Sequence, residues 1–299
     1  MQFKNASLAP RTVSSYASDF RTFQSWGQAA GRSTLPASAD TVELYVTDLI
    51  GRGRKIATAE RHAFAIQHTH RENKQPNPCG PGLWELLAGA RRILCQSPAQ
   101  KAAISLEDLR AMVKAIGQDS PIALRNRALL LFGWASALRR SNLASLQLQH
   151  LTFTPKGILV RVDREKQDRK GKGRELAVPF GKRKITCPVR AMERWLEVRG
   201  GNQTGPVFCR VMRGHPNGKP ILGNRIAQIV QECAAAIGKD PAKHGAHSLR
   251  AGLATEGLER GINEVALVQQ TGHKSLDTLR IYLRSRDLFK GNACTGIGL

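Results

Sequence analysis

The forty residues Lys243–Tyr282, KHGAHSLRAGLATEGLERGINEVALVQQTGHKSLDTLRIY, decide how this chain is read. His247 and Arg250 stand three positions apart, His273 follows a glycine, and Tyr282 comes nine positions after it. If His247 opens a helix, Arg250 lies on the same face one turn on, because residues i and i+3 are neighbours there. An imidazole and a guanidinium so placed can grip one anion together. Gly272 is expected to end the apolar helix Glu264–Gln270 in a left-handed conformation and leave His273 in a turn. Ser275 can cap a short new helix whose second turn carries Tyr282. A phenol beside two imidazoles and a guanidinium is what a nucleophile attacking a phosphate needs.

Upstream, Pro121 suits the first position of an apolar helix running to about Ala137. The heptapeptide ALRRSNL (137–143) then marks a helix junction, with Arg139 closing one helix and Ser141 able to cap the next. Gly157–Val162 and Glu175–Phe180 alternate as the strands of a hairpin. Its long basic tip, Asp163–Arg174, reads DREKQDRKGKGR. Taken alone, such a tip is an ordinary solvated loop. Pro188–Val198 and Arg225–Ile237 are expected as helices, Pro206–Val211 as a short strand and His215–Gly218 as a turn.

The first hundred residues read as helices. Tyr16, Phe20, Phe23 and Trp26 recur at helical spacing within Val13–Gly27, a pattern of core rather than of a base-stacking surface. Further helices are expected at Val42–Ile50, capped by Ser38 or Asp40, at Ala57–His70 and at Leu83–Cys95. Residues 96–104 (QSPAQKAAI) break the pattern and form a linker. Ser105 and Asp108 then open a helix in capping-box style. The organisation is therefore two domains, 1–95 and 105–299.

Formal net charge is +23. A charge of that size points to a polyanion, nucleic acid first and an anionic membrane surface second. Residues 1–100 hold 12 Lys/Arg against 7 Asp/Glu, and the remainder 34 against 16, so the stronger anion site belongs to the second part. The longest apolar run, Ala128–Leu138, is too short to span a bilayer. No signal stretch opens the chain. Six cysteines without a C-x-x-C pair suit free thiols in a reducing cytosol. Among the eight histidines no zinc-binding spacing occurs. In the N-terminal part Arg52, Arg54, Lys55, Arg61, Arg91 and Arg92 are candidates for DNA-backbone contact, as are Lys170, Lys172 and Arg174 in the hairpin.

Taken in order, Arg139, a hairpin lysine, His247-x-x-Arg250, His273 and Tyr282 resemble the catalytic set of the tyrosine recombinases, the phage integrase family. The resemblance covers the whole chain. It implies a mainly α fold with a small β-hairpin or sheet, in which residues 1–95 are a helical core-binding domain and 105–299 an α+β catalytic domain. ALRRSNL corresponds to the first box, which selects Arg139 rather than Arg140, and HSLRAGLAT to the second. GHKSLDTLRIY supplies the third position and the nucleophile. The family lysine falls best on Lys166, with Lys170 and Lys172 as alternatives. One position departs from the pattern: Asn142 stands where an acidic residue commonly follows the first arginine.

The resemblance implies cutting and rejoining of DNA through a 3′-phosphotyrosyl link, with no cofactor, ATP or metal. Its implied partner is duplex DNA carrying recombination half-sites, bound by a homodimer on each site and a homotetramer at synapsis. Accessory DNA-bending proteins are left open. The expected location is the cytoplasm, on the nucleoid, with no membrane partner. After Tyr282 the tail 283–299 packs on its own domain or docks into a neighbouring protomer. Two rival readings are a type IB topoisomerase-like activity, which would relax supercoils without joining two sites, and a non-catalytic DNA-binding relative, which would have lost a catalytic position.

Overall fold

The computed structural model describes residues 8–95, 100–163, 173–200 and 204–282. By its internal contacts the chain divides into two compact units, 1–99 and 100–299. The fold is mainly helical with small antiparallel sheets.

Among its described residues the first unit has four helices, α1 (Pro10–Ala29), α2 (Ala39–Gly51), α3 (Ile56–Glu72) and α4 (Pro81–Leu94). Pro10 and Pro81 open their helices where a missing N–H costs nothing. The Ser38 hydroxyl caps α2 by accepting from the Thr41 amide at 3.2 Å. The aromatic stripe of α1 faces inward: Phe20 and Phe23 are buried, and the Phe23 ring lies 4.8 Å from that of Tyr45 on α2. One polar network crosses this core. Buried Asp19 on α1 accepts from Arg61 Nε and Nη2 on α3, at 2.6 and 2.9 Å. His62 Nε2 stands 3.3 Å from the same carboxylate, and its Nδ1 pairs with the Tyr45 hydroxyl at 2.8 Å.

The second unit is built on α6 (Pro121–Ser136), buried without interruption from Ala123 to Gly133. A helix buried on every side is a central helix. Against it pack α5 (Leu106–Ile116), α8 (Pro188–Arg199), α10 (Ala246–Glu259) and the sheet. Buried side chains such as Leu129, Leu130 and Phe132 each contribute roughly 1.5–3 kcal/mol by leaving water. The sheet is antiparallel in the order β1 (Leu151–Thr154), β2 (Gly157–Val162), β3 (Arg174–Pro179), with Val160 opposite Leu176. The remaining elements are α7 (Arg140–Ser145), β4 (Cys209–Met212), β5 (His215–Pro220), α9 (Gly223–Ala235), α11 (Glu264–Thr271) and α12 (Leu276–Arg280).

Gly252 explains why α10 can sit so close. A Cβ there would stand 2.0 Å from the Ile104 carbonyl oxygen and 2.6 Å from Trp134 Nε1. That carbonyl accepts from Trp134 at 3.0 Å, and the Ile104 amide donates to Ser248 O at 3.1 Å, so the segment before α5 is sewn onto α10.

Three expectations are corrected. His215–Gly218 is not a turn: His215–Pro220 is β5, paired with β4. The turn is Arg213–Gly214, whose φ values of 50° and 81° give the left-handed pair that a two-residue hairpin favours. Ser141 does not cap α7, because the helix begins one residue before it with Arg139 in the cap position. And Leu151–Thr154 adds a strand to the expected hairpin.

Candidate active site

The site gathers at the C-terminal ends of α6 and α11. Helix α11 stops at Gly272, which is left-handed (φ 66°, ψ 40°). Its last carbonyls have no intrahelical partner and carry the negative end of the helix dipole. Arginines from three separate parts of the sequence meet them. Arg174, at the start of β3, donates from Nη1 to Gln269 O and Gln270 O at 3.0 and 3.2 Å. Arg250, on α10 and 2% exposed, donates from Nη1 to Thr271 O and, at 2.8 Å, to Ala137 O. Arg139 donates from Nη2 to Gly272 O at 3.2 Å.

Ala137 is the residue that turns the chain out of α6. It is buried and left-handed (φ 49°, ψ 27°), a conformation that strains a residue with a Cβ. The strain aims its carbonyl at Arg250 and carries the chain to Arg139 two residues later. Gln270 ties the two helix ends to the sheet, donating from Nε2 to Ala135 O at 2.8 Å and to Ala177 O at 3.1 Å.

His247 lies in the first turn of α10, three residues before Arg250. Its Nε2 is 2.9 Å from the Tyr282 hydroxyl, with ring centroids 6.2 Å apart. The His273 ring centroid is 5.5 Å from that of Tyr282. Arg250 also hydrogen-bonds the phenol. Ser275 caps α12, accepting from the Thr278 amide at 3.3 Å. Tyr282 sits two residues beyond the end of α12 rather than within its second turn. Its ring packs against the small cluster of Ala254, Leu258, Leu267 and Leu279.

Electrostatics follow from this crowding. Surrounding protein, then the Arg250 and Arg139 charges, push the His247 imidazole below its ordinary pKa. The same causes in the same order, joined by His247 and Arg174, bring His273 down to about 3. Both rings are therefore neutral in the free protein near pH 7. Burial raises the Tyr282 pKa, and Arg250 and Arg139 only partly oppose the rise. With a neutral phenol, the His247 tautomer whose Nε2 carries no proton accepts from the hydroxyl, the arrangement a general base needs.

Sequence reasoning missed Thr271. Its buried hydroxyl donates to Leu267 O at 2.6 Å, which uses its single hydrogen. Its 2.7 Å contact with His273 Nδ1 then requires the ring to donate. Thr271 thereby fixes the tautomer and leaves His273 Nε2 an acceptor until the ring takes up a proton.

Arg139, His247, Arg250, His273 and Tyr282 thus come together. Lys166, Lys170 and Lys172 lie outside the described residues, as does the tail 283–299. Arg174 joins the cluster by capping α11. Buried Asn142 accepts at Oδ1 from the Ser141 hydroxyl at 3.3 Å. In the first unit Arg61 is engaged by Asp19, Arg52 by Asp48 at 2.9 Å and Arg91 by Glu60. Arg54, Lys55 and Arg92 are exposed.

Guanidiniums held by carbonyls, neutral imidazoles and a protonated phenol thus form one cluster around Tyr282. Residues 103–288 match the phage integrase family. The chain is 32% identical over 292 residues to an integrase/recombinase XerD homolog of Selenomonas ruminantium, covering 96% of this chain and 85% of that protein. It is 28% identical over 279 residues to the tyrosine recombinase XerD of Caulobacter vibrioides, covering 92% and 86%. In fold it is similar to a lambda integrase dimer bound to a COC′ core site, with a TM-score of 0.62 at 16% identity, covering 94% of this chain and 92% of that one. The chain belongs to the phage integrase family of tyrosine recombinases. Among the described residues no helix is long and apolar enough to cross a membrane.

Proposed function

We propose that this protein is a site-specific DNA recombinase that cuts and rejoins strands with Tyr282 as nucleophile. The 2.9 Å contact between the Tyr282 hydroxyl and His247 Nε2, beside two arginines, carries this reading. The phenolic oxygen attacks the scissile phosphorus as its proton passes to His247. The bond from phosphorus to the 5′ oxygen then breaks, leaving a 3′-phosphotyrosyl link. Lys166, on the hairpin, gives the departing oxygen its proton. Arg139 and Arg250 bear the charge that grows on the non-bridging oxygens, the main electrostatic demand of the step. His273 reaches the same oxygens once protonated, which a bound phosphate anion favours. The free-protein pKa shifts hold the proton on the phenol until that anion arrives.

The link conserves the bond energy, so a 5′ hydroxyl from another strand reverses the step without ATP. Two guanidiniums supply the charge that a divalent metal would otherwise bring. Duplex DNA is the substrate, and exposed cations of both units contribute phosphate contacts. Cutting is coordinated in a dimer on each site and a tetramer at synapsis, and the protein works in the cytoplasm on the nucleoid. The decisive experiment incubates the protein with nicked suicide duplexes and looks for a covalent adduct. An EDTA-insensitive adduct through Tyr282, lost in Tyr282→Phe, is expected; an adduct formed by the phenylalanine variant overturns the assignment.

A further inference from the structure

At the end of α6 away from the catalytic cluster lies a cavity of about 190 Å³. Its lining includes Arg127, Lys184, Arg190 and Arg194, with Leu124 and Ile185 as apolar wall. Among the described residues no carboxylate lines it. Elsewhere in this unit Arg161, Arg225, Arg260 and Arg280 all pair with acidic side chains. None of the four cavity cations does so among the described residues. Arg127, 6% exposed, spends its Nη atoms on the Val113 and Ile185 carbonyls. Arg194 donates to the Gln118 side chain, and Arg190 lies over the Phe180 ring at 5.6 Å. All of these partners are neutral, so the positive charge is oriented but not cancelled. Burial and then the Arg194 charge lower the Arg127 pKa, the mark of cations crowded without a counter-charge.

Two rulers place this cavity apart from the reaction. Along α6, Leu124 and Ser136 are about 18 Å apart at 1.5 Å per residue. Along β3, Arg174 near the catalytic cluster and Pro179 before the cavity's edge are roughly 17 Å apart. A phosphate held here is therefore not the one under attack. The N-terminus of the sixteen-residue α6, capped by Ser120, adds a positive end beside the cavity.

We propose that this cavity is a second oxyanion site, taking a phosphate group on Arg127, Lys184, Arg190 and Arg194. The group belongs either to a free phosphate-bearing solute or to the DNA backbone, since the recognition chemistry is the same. Forked guanidiniums suit a tetrahedral anion with several acceptor oxygens, and the small volume suits one phosphate rather than a flat ring system.

The test titrates the full chain with inorganic phosphate at constant ionic strength held by chloride, following arginine Nε–H resonances by NMR. Saturable shifts at Arg127, Arg190 and Arg194 are expected. Lys184→Ala/Arg190→Ala should weaken the Arg127 response at least tenfold while leaving the responses of Arg139 and Arg250 in place. Exposed Lys184 and half-buried Arg190 are chosen because removing the buried Arg127 side chain threatens the fold itself. Addition of duplex without phosphate separates the sources: the same shifts on DNA assign the group to the backbone, and phosphate shifts that persist on saturating DNA assign it to a free solute. An Arg127 response no larger than chloride produces, or one untouched by the double substitution, overturns the proposal.

Discussion

Three arginines of the first unit and three at the end of α11 in the second are held in different ways. In the first unit Arg52, Arg61 and Arg91 rest on carboxylates of Asp48, Asp19 and Glu60. In the second, Arg139, Arg174 and Arg250 rest on backbone carbonyls at the end of α11. A carboxylate fixes a guanidinium and cancels its charge. A carbonyl fixes it and leaves the charge whole. Arg61–Asp19 and Arg91–Glu60 join helices, and the carbonyl-held arginines bring three parts of the sequence to one helix end. The dipole of α11 offsets part of the repulsion among the three cations.

The largest expected effect tests the carbonyl-held group. Arg250→Ala should lower the rate of covalent adduct formation about 10³-fold, the scale of losing one charge-stabilising donor. Arg250→Lys should not restore it, because a single ammonium in place of Nη1, which spans Ala137 O and Thr271 O, leaves no second nitrogen for a phosphate oxygen. Adduct kinetics on suicide duplexes decide this, and near-normal rates for the lysine variant would mean that charge alone matters.

The carboxylate-held group should fail in the opposite sense. Arg61→Ala leaves the buried Asp19 carboxylate with His62 as its remaining ion-pair partner among the described residues. Because Arg61 is itself half exposed, the loss should be about 2 kcal/mol rather than the full cost of breaking a buried pair. Urea unfolding measures it, and the folded fraction should still form adduct at the normal rate.

How much of this contrast the sequence carries depends on what the partner is. Caps and stops are local and were legible: Ser38, Ser105 and Ser275 each accept from an amide three residues on, and Gly272 ends α11. The family boxes brought His247, Arg250, His273 and Tyr282 to one place in expectation and in the structure. Backbone carbonyls have no letter of their own, so nothing in Arg174 or Gln269 announced that one caps the other. The same blindness hid Thr271, whose role depends on a donor count and not on its type. Strand β5 was missed because HPNGKP lacks the alternation of a buried face, and its pairing is imposed by the Arg213–Gly214 turn.

The imidazoles give a pH-dependent form of the same comparison. His273 is surrounded by arginines and has its pKa lowered to about 3. An unfolded chain takes up that proton near the ordinary value of about 6.5. Between those limits the unfolded state binds more protons, so stability is full above pH 6.5 and falls as pH drops toward 3. His273→Asn should flatten that part of the profile, measured as urea midpoint against pH and compared with the parent. An unchanged slope would show that neither burial nor the arginine charges act on the ring.

The smallest effect is the sharpest discrimination within the first unit. Arg54, Lys55 and Arg92 are exposed with no carboxylate partner among the described residues, whereas exposed Arg52 and Arg91 have one each. If carboxylate pairing withholds a cation from DNA, only the unpaired ones release counterions on binding. Alanine at Arg54, Lys55 or Arg92 should then weaken duplex binding a few-fold and reduce the slope of log affinity against log salt by about 1 each. Alanine at Arg52 or Arg91 should change the slope by much less, because the freed Asp48 or Glu60 adds repulsion without removing a phosphate contact. Equal slope changes at all five positions would mean that DNA competes the carboxylates away, and that the two kinds of arginine differ only in the free protein.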